Sequence, residues 1–281
     1  MAKSSRSPSK NLYTASEAIK RLRMPPSTFH YYVKTGKIKK ITPPGRKEGY
    51  YEKAYIDALA RANELFLIAY AEEPATFSVA TPEDVPGIYE VSASLWGELK
   101  ATPVAKRLEW YKQNPEIDYV VKKEGIVIGY LTIMPLKREV IEQLMQGRLR
   151  GWDIRKEDIL PFIPGQELEC YTGIAVRAGV YRPEKYGMRL LAGIIRHLEE
   201  MGERGILLKR FYAVSDTPEG IRLSKGLGFE EYPPAPGSTF QQYILDVERA
   251  TTPFLTPYKR GLQRYQRRTM TSQPGDPSLD E

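Results

Sequence analysis

The sequence predicts two domains: a small mainly-α unit of two short helices and a hairpin, followed by a larger α/β mixed-sheet domain. Three observations carry the prediction. The chain has 281 residues, which suits two domains at about 100–200 residues each. Its charge is segregated: residues 1–73 hold 14 Lys/Arg against 7 Asp/Glu, while residues 74–281 hold 28 of each, so the whole net charge of +7 belongs to the first quarter. The later part alternates strand-like and helix-like segments, the pattern of a layered α/β domain.

Composition excludes several classes. With 41% hydrophobic and 27% charged residues, the chain reads as globular. Its apolar runs fall short of the roughly 18 residues of a membrane span, and the polar, basic stretch 1–10 lacks the apolar core of a secretory signal. One cysteine, Cys170, permits no internal disulfide, and two distant histidines, His30 and His197, make no metal cluster. The expectation is a cytoplasmic protein without metal and without membrane partners.

In the first domain, residues 11–73, Thr14 and Glu17 have the spacing of a capping box, and Ala18, Ile19 and Leu22 share a face of the helix that follows. Pro25 and Pro26 suit a second helix start, Phe29 and Val33 face its core side, and Gly36 ends it. Lys37–Ile41, a turn over 43–49 and Tyr50–Tyr51 read as a small hairpin, or wing. Ala54, Ile56, Leu59, Leu65 and Ile68 then mark a long helix ending near Glu73. Helix, turn, helix, basic hairpin, Tyr51 and Ile56 in this order resemble the winged helix-turn-helix domain of the MerR and excisionase-like regulators over about residues 11–61. That resemblance implies double-stranded DNA as partner, with Ser27, Thr28, His30, Tyr31 and Lys34 at the major groove, Lys37, Arg46 and Lys47 at the backbone, and homodimerisation through the following helix. Where such wings carry Arg-Arg-Tyr, this chain has Glu48-Gly49-Tyr50-Tyr51. A docking module with the lysines as a solvated face is the plainer alternative, and Phe29 and Tyr51 read as core.

In the second domain, residues 77–248, strands are expected at 77–80, 118–121, 126–133, 168–176, 206–214 and 240–247. Helices are expected from Thr81, at 103–113, as an insertion at 137–147, and at 184–201 and 218–226. Residues 148–165 stay unassigned. Ile174-Ala-Val176 followed by Arg182-Pro-Glu-Lys-Tyr-Gly187, Gly205-Ile-Leu-Leu208, and Ile221 to Phe229 resemble the GNAT superfamily of acyl-coenzyme A dependent N-acetyltransferases. The resemblance implies acetyl-CoA or CoA at Ile174, Val176, Arg182, Lys185, Tyr186 and Gly187, because a helix start with free amides binds pyrophosphate. Lys185 stands where the family has its first glycine, and Pro183 lacks an amide donor. Glu167 and Glu169, on alternating positions of one strand face, are the candidate bases, with solvated strand residues as the plainer reading. Ser224 takes the place of the tyrosine that protonates the leaving thiolate. Cys170 reads as buried and His197 as a surface residue. The stretch 249–281, basic and proline-containing, reads as a flexible tail.

Three functions follow from these expectations. The leading one is a DNA-binding transcriptional regulator whose acetyltransferase-like domain has lost part of its site and serves ligand sensing or assembly. The alternatives are an active acetyl-CoA-dependent N-acetyltransferase tethered to DNA, and an excisionase-like assembly factor of a mobile element.

Overall fold

The computed structural model describes residues 11–45, 48–70, 75–233 and 240–271. The first unit holds β1 (Leu12–Thr14), α1 (Ala15–Leu22), α2 (Pro26–Lys34), β2 (Tyr50–Glu52) and α3 (Lys53–Tyr70). Thr14 and Glu17 form the reciprocal capping box: the Thr14 N–H donates to Glu17 Oε2 at 2.7 Å and the Glu17 N–H donates to Thr14 Oγ1 at 3.3 Å. α1 stops at Arg23, which adopts a left-handed conformation with φ 52°. The three-residue link then turns the chain into α2. Ala18, Leu22, Phe29, Ile38, Tyr51 and Ile56 close the core, with the Phe29 and Tyr51 rings edge to face at 4.9 Å.

The expected hairpin differs. Tyr50–Glu52 pairs with Leu12–Thr14, and only a single bridge, Ile41 to Tyr50, joins it to the 37–41 stretch. Pro43 and Pro44, one residue beyond Ile41, supply no N–H donors to extend the ladder toward the turn. Arg46 and Lys47 lie outside the described residues, as do 1–10.

The larger unit contains β3 (Ala75–Val79), α4 (Val85–Trp96), α5 (Val104–Gln113), β4 (Asp118–Lys123), β5 (Ile126–Pro135), α6 (Arg138–Met145), β6 (Glu167–Val176), α7 (Pro183–Glu203), β7 (Leu207–Ser215), α8 (Pro218–Gly226), β8 (Glu230–Tyr232), β9 (Gln241–Asp246) and α9 (Thr256–Thr271). The seven strands lie in the order β3-β4-β5-β6-β7-β9-β8, antiparallel except for the central parallel pair β6–β7 joined through α7. This is the expected α/β mixed sheet.

Two cores cover its faces. On one, α7 lays down Leu190, Leu191, Ile194, Leu198 and Met201, a 3.6-residue stripe in which each buried side chain contributes about 1.5–3 kcal/mol. On the other lie Val85 and Ile88 of α4, Trp110 of α5 and Ile141 of α6. That face also encloses a buried ion pair, Arg107 to Asp118 at 2.9 Å, with the Tyr111 hydroxyl donating to the same carboxylate at 3.2 Å.

The tail expected to be flexible from 249 is instead helical over Thr256–Thr271 and docked on α7. Gly261 approaches the Glu199 backbone so closely that a Cβ would lie 2.2 Å from its carbonyl oxygen. Tyr258, 1% exposed, accepts the Leu208 N–H and donates to the Ile206 carbonyl, both at 2.8 Å. Arg260 and Arg264 pair with Glu199, and Arg264 also with Glu203. Two of the tail's arginines therefore answer acids on α7, while Lys259 donates to the Glu248 and Ala250 carbonyls. The segment 272–281 lies outside the described residues. No helix among the described residues is long and apolar enough to cross a membrane.

Candidate functional site

The parallel pair β6–β7 is where the sheet opens. The strands are in register from Glu167 with Leu207 to Tyr171 with Tyr212, with a shift after Leu168. Beyond Tyr171, β6 continues to Val176 paired with β5, while β7 continues to Ser215 paired with β9. The result is a wedge whose apex is the Tyr171–Tyr212 step. Along it β6 presents an edge with no strand bonded to it, a row of backbone N–H and C=O groups able to take an extended ligand. Gly173 lies inside this wedge and is exposed although it sits in a central strand, and a Cβ there would meet no atom within 4 Å.

The loop after β6 is fastened to α4: Arg177 pairs with Glu90, and the Ala178 N–H donates to Ser94 Oγ at 3.1 Å. At the start of α7, Arg182 takes a left-handed conformation with φ 54°. Pro183 brings no N–H, the Lys185 N–H donates to the Arg182 carbonyl at 3.0 Å, and Glu184 accepts its own N–H and the Arg182 Nε. Those bonds hold the Glu184 carboxyl below the usual carboxylate range. Gly187 keeps space beside Val176, with a Cβ reaching only Cγ2 at 3.9 Å. Ile174, Val176 and Tyr186 pack against the α7-side core, so the first two offer the wedge their backbone.

The expected catalytic glutamates sit toward the other end of β6. Glu167 pairs with Lys209 at 3.1 Å, and Glu169 pairs with Arg210 at 2.9 Å and accepts the Tyr212 hydroxyl at 3.3 Å. Together with Arg138, Lys209, Arg210, Asp246 and Glu248 they line a cavity of about 390 Å³. At about 3.3 Å per residue, Glu167 lies ~30 Å from Val176 along the strand and Glu169 ~13 Å from Gly173. The structure therefore does not bring Glu167 to the residues expected to hold the cofactor. Glu169 reaches the apex through Tyr212. Ser224 lies on α8, where its carbonyl accepts the Phe229 N–H at 3.0 Å.

Sequence reasoning missed Tyr171, Tyr212 and Gly173. Their signal was the strand alternation in β6 and β7, but the place where the strands part was not readable. Burial drives the Tyr171 phenol up to about 12; burial, followed by the Glu169 charge, raises that of Tyr212. Both stay protonated donors near neutrality. Burial, with the Glu169 charge, pushes the Cys170 thiol far up, which leaves it an inert core residue. Among the described residues no group of three or more His, Cys, Asp and Glu could hold a metal.

On the first unit, Ser27, His30, Tyr31 and Lys34 of α2 are exposed and Thr28 is half-buried. Lys37 is exposed as well, its ammonium 5.0 Å over the Tyr32 ring.

No protein-family model matches the chain, and no curated protein matches it. Solved structures do. The Ard1 protein of Thermoplasma volcanium is 18% identical over 61% of this chain and 95% of its own, with a TM-score of 0.42. The yncA protein of Salmonella typhimurium, solved with its cofactor acetyl-CoA, is 16% identical over 64% and 98%, at 0.41. The ribosomal-protein-alanine N-acetyltransferase of Brucella melitensis is 20% identical over 60% and 96%, at 0.38.

Proposed function

We propose that the α/β unit is an N-acyltransferase that uses an acyl-CoA thioester, and that the first unit tethers it to DNA. The observation that supports the reading most is the wedge between β6 and β7 with exposed Gly173 inside it. Its unpaired strand edge fits the extended, amide-bearing arm of CoA. The helix start fits less well. Pro183, Glu184 and Lys185 offer no open amide cradle, so the cations Arg182 and Lys185 would have to hold the phosphate end together with the helix amides.

The cofactor would supply the activated acyl group. In the transfer a C–N bond forms, the thioester C–S bond breaks, the amine loses a proton and the sulfur gains one. The chain's residues would do the rest. The β6 edge from Thr172 to Val176 holds the arm. Tyr171, protonated, stands at the apex as a donor, and Tyr212 stands beside it with its hydroxyl proton given to Glu169. Glu169, bonded to Tyr212, is the carboxylate toward which the proton of the amine leaves. Glu167 has no part in this. Calorimetry with CoA and a thiol-release assay with acetyl-CoA and a panel of amines test the reading. Binding with turnover is the expected result, and absence of both rejects it.

DNA tethering is favoured by α2, which buries Phe29 while exposing Ser27, His30, Tyr31 and Lys34, in the unit that carries the whole net positive charge. Log affinity for duplex DNA should fall with log salt at about −0.9 per phosphate contacted. Lys34→Ala with Lys37→Ala should lower both affinity and slope; unchanged values reject the assignment.

A further inference from the structure

β5 and β6 are antiparallel neighbours that a tight turn could join, yet residues 136–166 separate them. This insertion is fixed at two distant places. On the α5 side, Trp110 Nε1 donates to the Ile154 carbonyl at 3.0 Å, Asn114 Nδ2 to the Leu160 carbonyl at 2.8 Å, and Lys106 Nζ to the Trp152 carbonyl. On the other side, Gln242 Nε2 of β9 donates to the Met145 carbonyl at the end of α6. The guanidinium of Arg150 lies 5.6 Å from the centroid of the Phe240 ring, just before β9. A segment tied to α5 and to β9 must cross β6 and β7 between them. It crosses on the face of Tyr171, which packs with Leu149 and Val214 against the same core. The insertion is thus a strap over one side of the wedge.

Two consequences follow from the strap. A roofed wedge excludes the surface of a folded protein and favours a small acceptor. It also carries a charge: Arg150 is exposed, its backbone N–H donates to the Asp153 carboxylate and its guanidinium lies over the Phe240 ring, and among the described residues no ion pair joins that guanidinium to a carboxylate. Its charge is felt at the Tyr171 phenol, where it opposes the upward push of burial.

We propose that the acceptor is a free amino acid with an apolar or aromatic side chain, bound under the strap with its carboxylate on Arg150 and its amine toward the Tyr171–Tyr212 apex. A guanidinium takes a carboxylate in a two-pronged, charge-assisted geometry that a lysine does not reproduce. The site rests on the reading of the wedge as an acyl-transfer site. The products would be an N-acyl amino acid and the free CoA thiol, the amine proton passing to the protein as the C–S bond breaks and the sulfur is protonated.

The full chain and its Arg150→Ala and Arg150→Lys variants test this by calorimetry in the presence of CoA, with L-phenylalanine against phenethylamine and L-leucine against isoamylamine, and by thiol release with acetyl-CoA. Each amino acid should bind at least about tenfold more tightly than the amine that lacks its carboxylate. That ratio should fall close to one in Arg150→Ala and partly survive in Arg150→Lys. Equal affinity of acid and amine, a ratio unchanged in Arg150→Ala, or faster thiol release with a peptide acceptor overturns the proposal. The two failures separate cleanly. Amino-acid binding that depends on Arg150 without thiol release removes the transferase reading and leaves the carboxylate site. Thiol release with amines irrespective of Arg150 does the reverse.

Discussion

Gly173→Val sets stability and function against each other. Gly173 is in extended β6, outside the group of glycines with positive φ, and a Cβ there meets nothing within 4 Å. Valine therefore enters without strain or clash. Replacing a strand glycine with a β-branched residue removes an entropic penalty of about 0.5–1 kcal/mol, which for a unit of this size raises Tm by roughly 1–4 °C. The same side chain projects into the wedge, where thioester and amine must approach to about 3–3.5 Å. A displacement of ~1 Å there costs about 100-fold, close to 2.7 kcal/mol of barrier. The expected variant is as stable as the parent or more so by circular dichroism melting, and at least ~100-fold slower in kcat/KM for thiol release. A variant that melts higher and works within threefold of the parent would show that the wedge is not where transfer occurs.

Three further outcomes follow. Gly261→Ala should destabilise the protein although helix propensity favours alanine by about 0.8–1 kcal/mol: the new Cβ would sit 2.2 Å from the Glu199 carbonyl oxygen and 3.0 Å from the Glu203 nitrogen. Backbone cannot yield as a side chain can, so urea unfolding should show a net loss of about 1–2 kcal/mol, and a gain would mean that α9 does not dock on α7. Asp118→Ala strands the buried Arg107 charge and should cost about 3–5 kcal/mol in the same measurement. His197 is set by burial, which lowers its pKa and outweighs the nearby Glu200 and Glu116. Its folded pKa lies below the unfolded value of about 6.5, so the unfolded chain takes the proton first. Stability should then rise with pH through the window below ~6.5 and be flat above it, and His197→Gln should flatten that slope in melts from pH 5 to 8.

Local chemistry was the most legible part of the sequence. The Thr14–Glu17 box, the Gly36 stop and the whole of α8 could be read because their determinants lie within a few residues of one another. What depended on distant partners could not. Tyr50–Glu52 offers the same alternation to either of two strands. It pairs along its length with Leu12–Thr14 and meets the other only at the Ile41–Tyr50 bridge, beyond which Pro43 and Pro44 lack N–H donors. α9 was hidden differently. Leu255, Tyr258 and Leu262 do recur at helical spacing, but Pro253, Pro257 and Gly261 among arginines read as breakers. Gly261 is there because two backbones meet, and Pro257 occupies the first turn, where a missing N–H costs nothing.

The two candidate glutamates differ in place for a similar reason. Alternate residues share a strand face, so Glu167 and Glu169 look equivalent in the sequence. Alternation says nothing about position along the strand, and β6 does different work at its two ends. Below Tyr171 it is clamped to β7, and its acids are neutralised by Lys209 and Arg210 from the partner strand. Above Tyr171 it is paired on one side alone. The change from one regime to the other is set by β7, which leaves β6 to continue with β9, and by a strap drawn from another part of the chain. Parallel pairing makes this divergence possible: the connection through α7 lets the two strands end where they need to, whereas an antiparallel hairpin would hold their ends together. A glycine at 173 is unremarkable in the sequence. It becomes informative only once the neighbouring strand is known to have turned away, because in a fully paired central strand under a helical layer it would be buried.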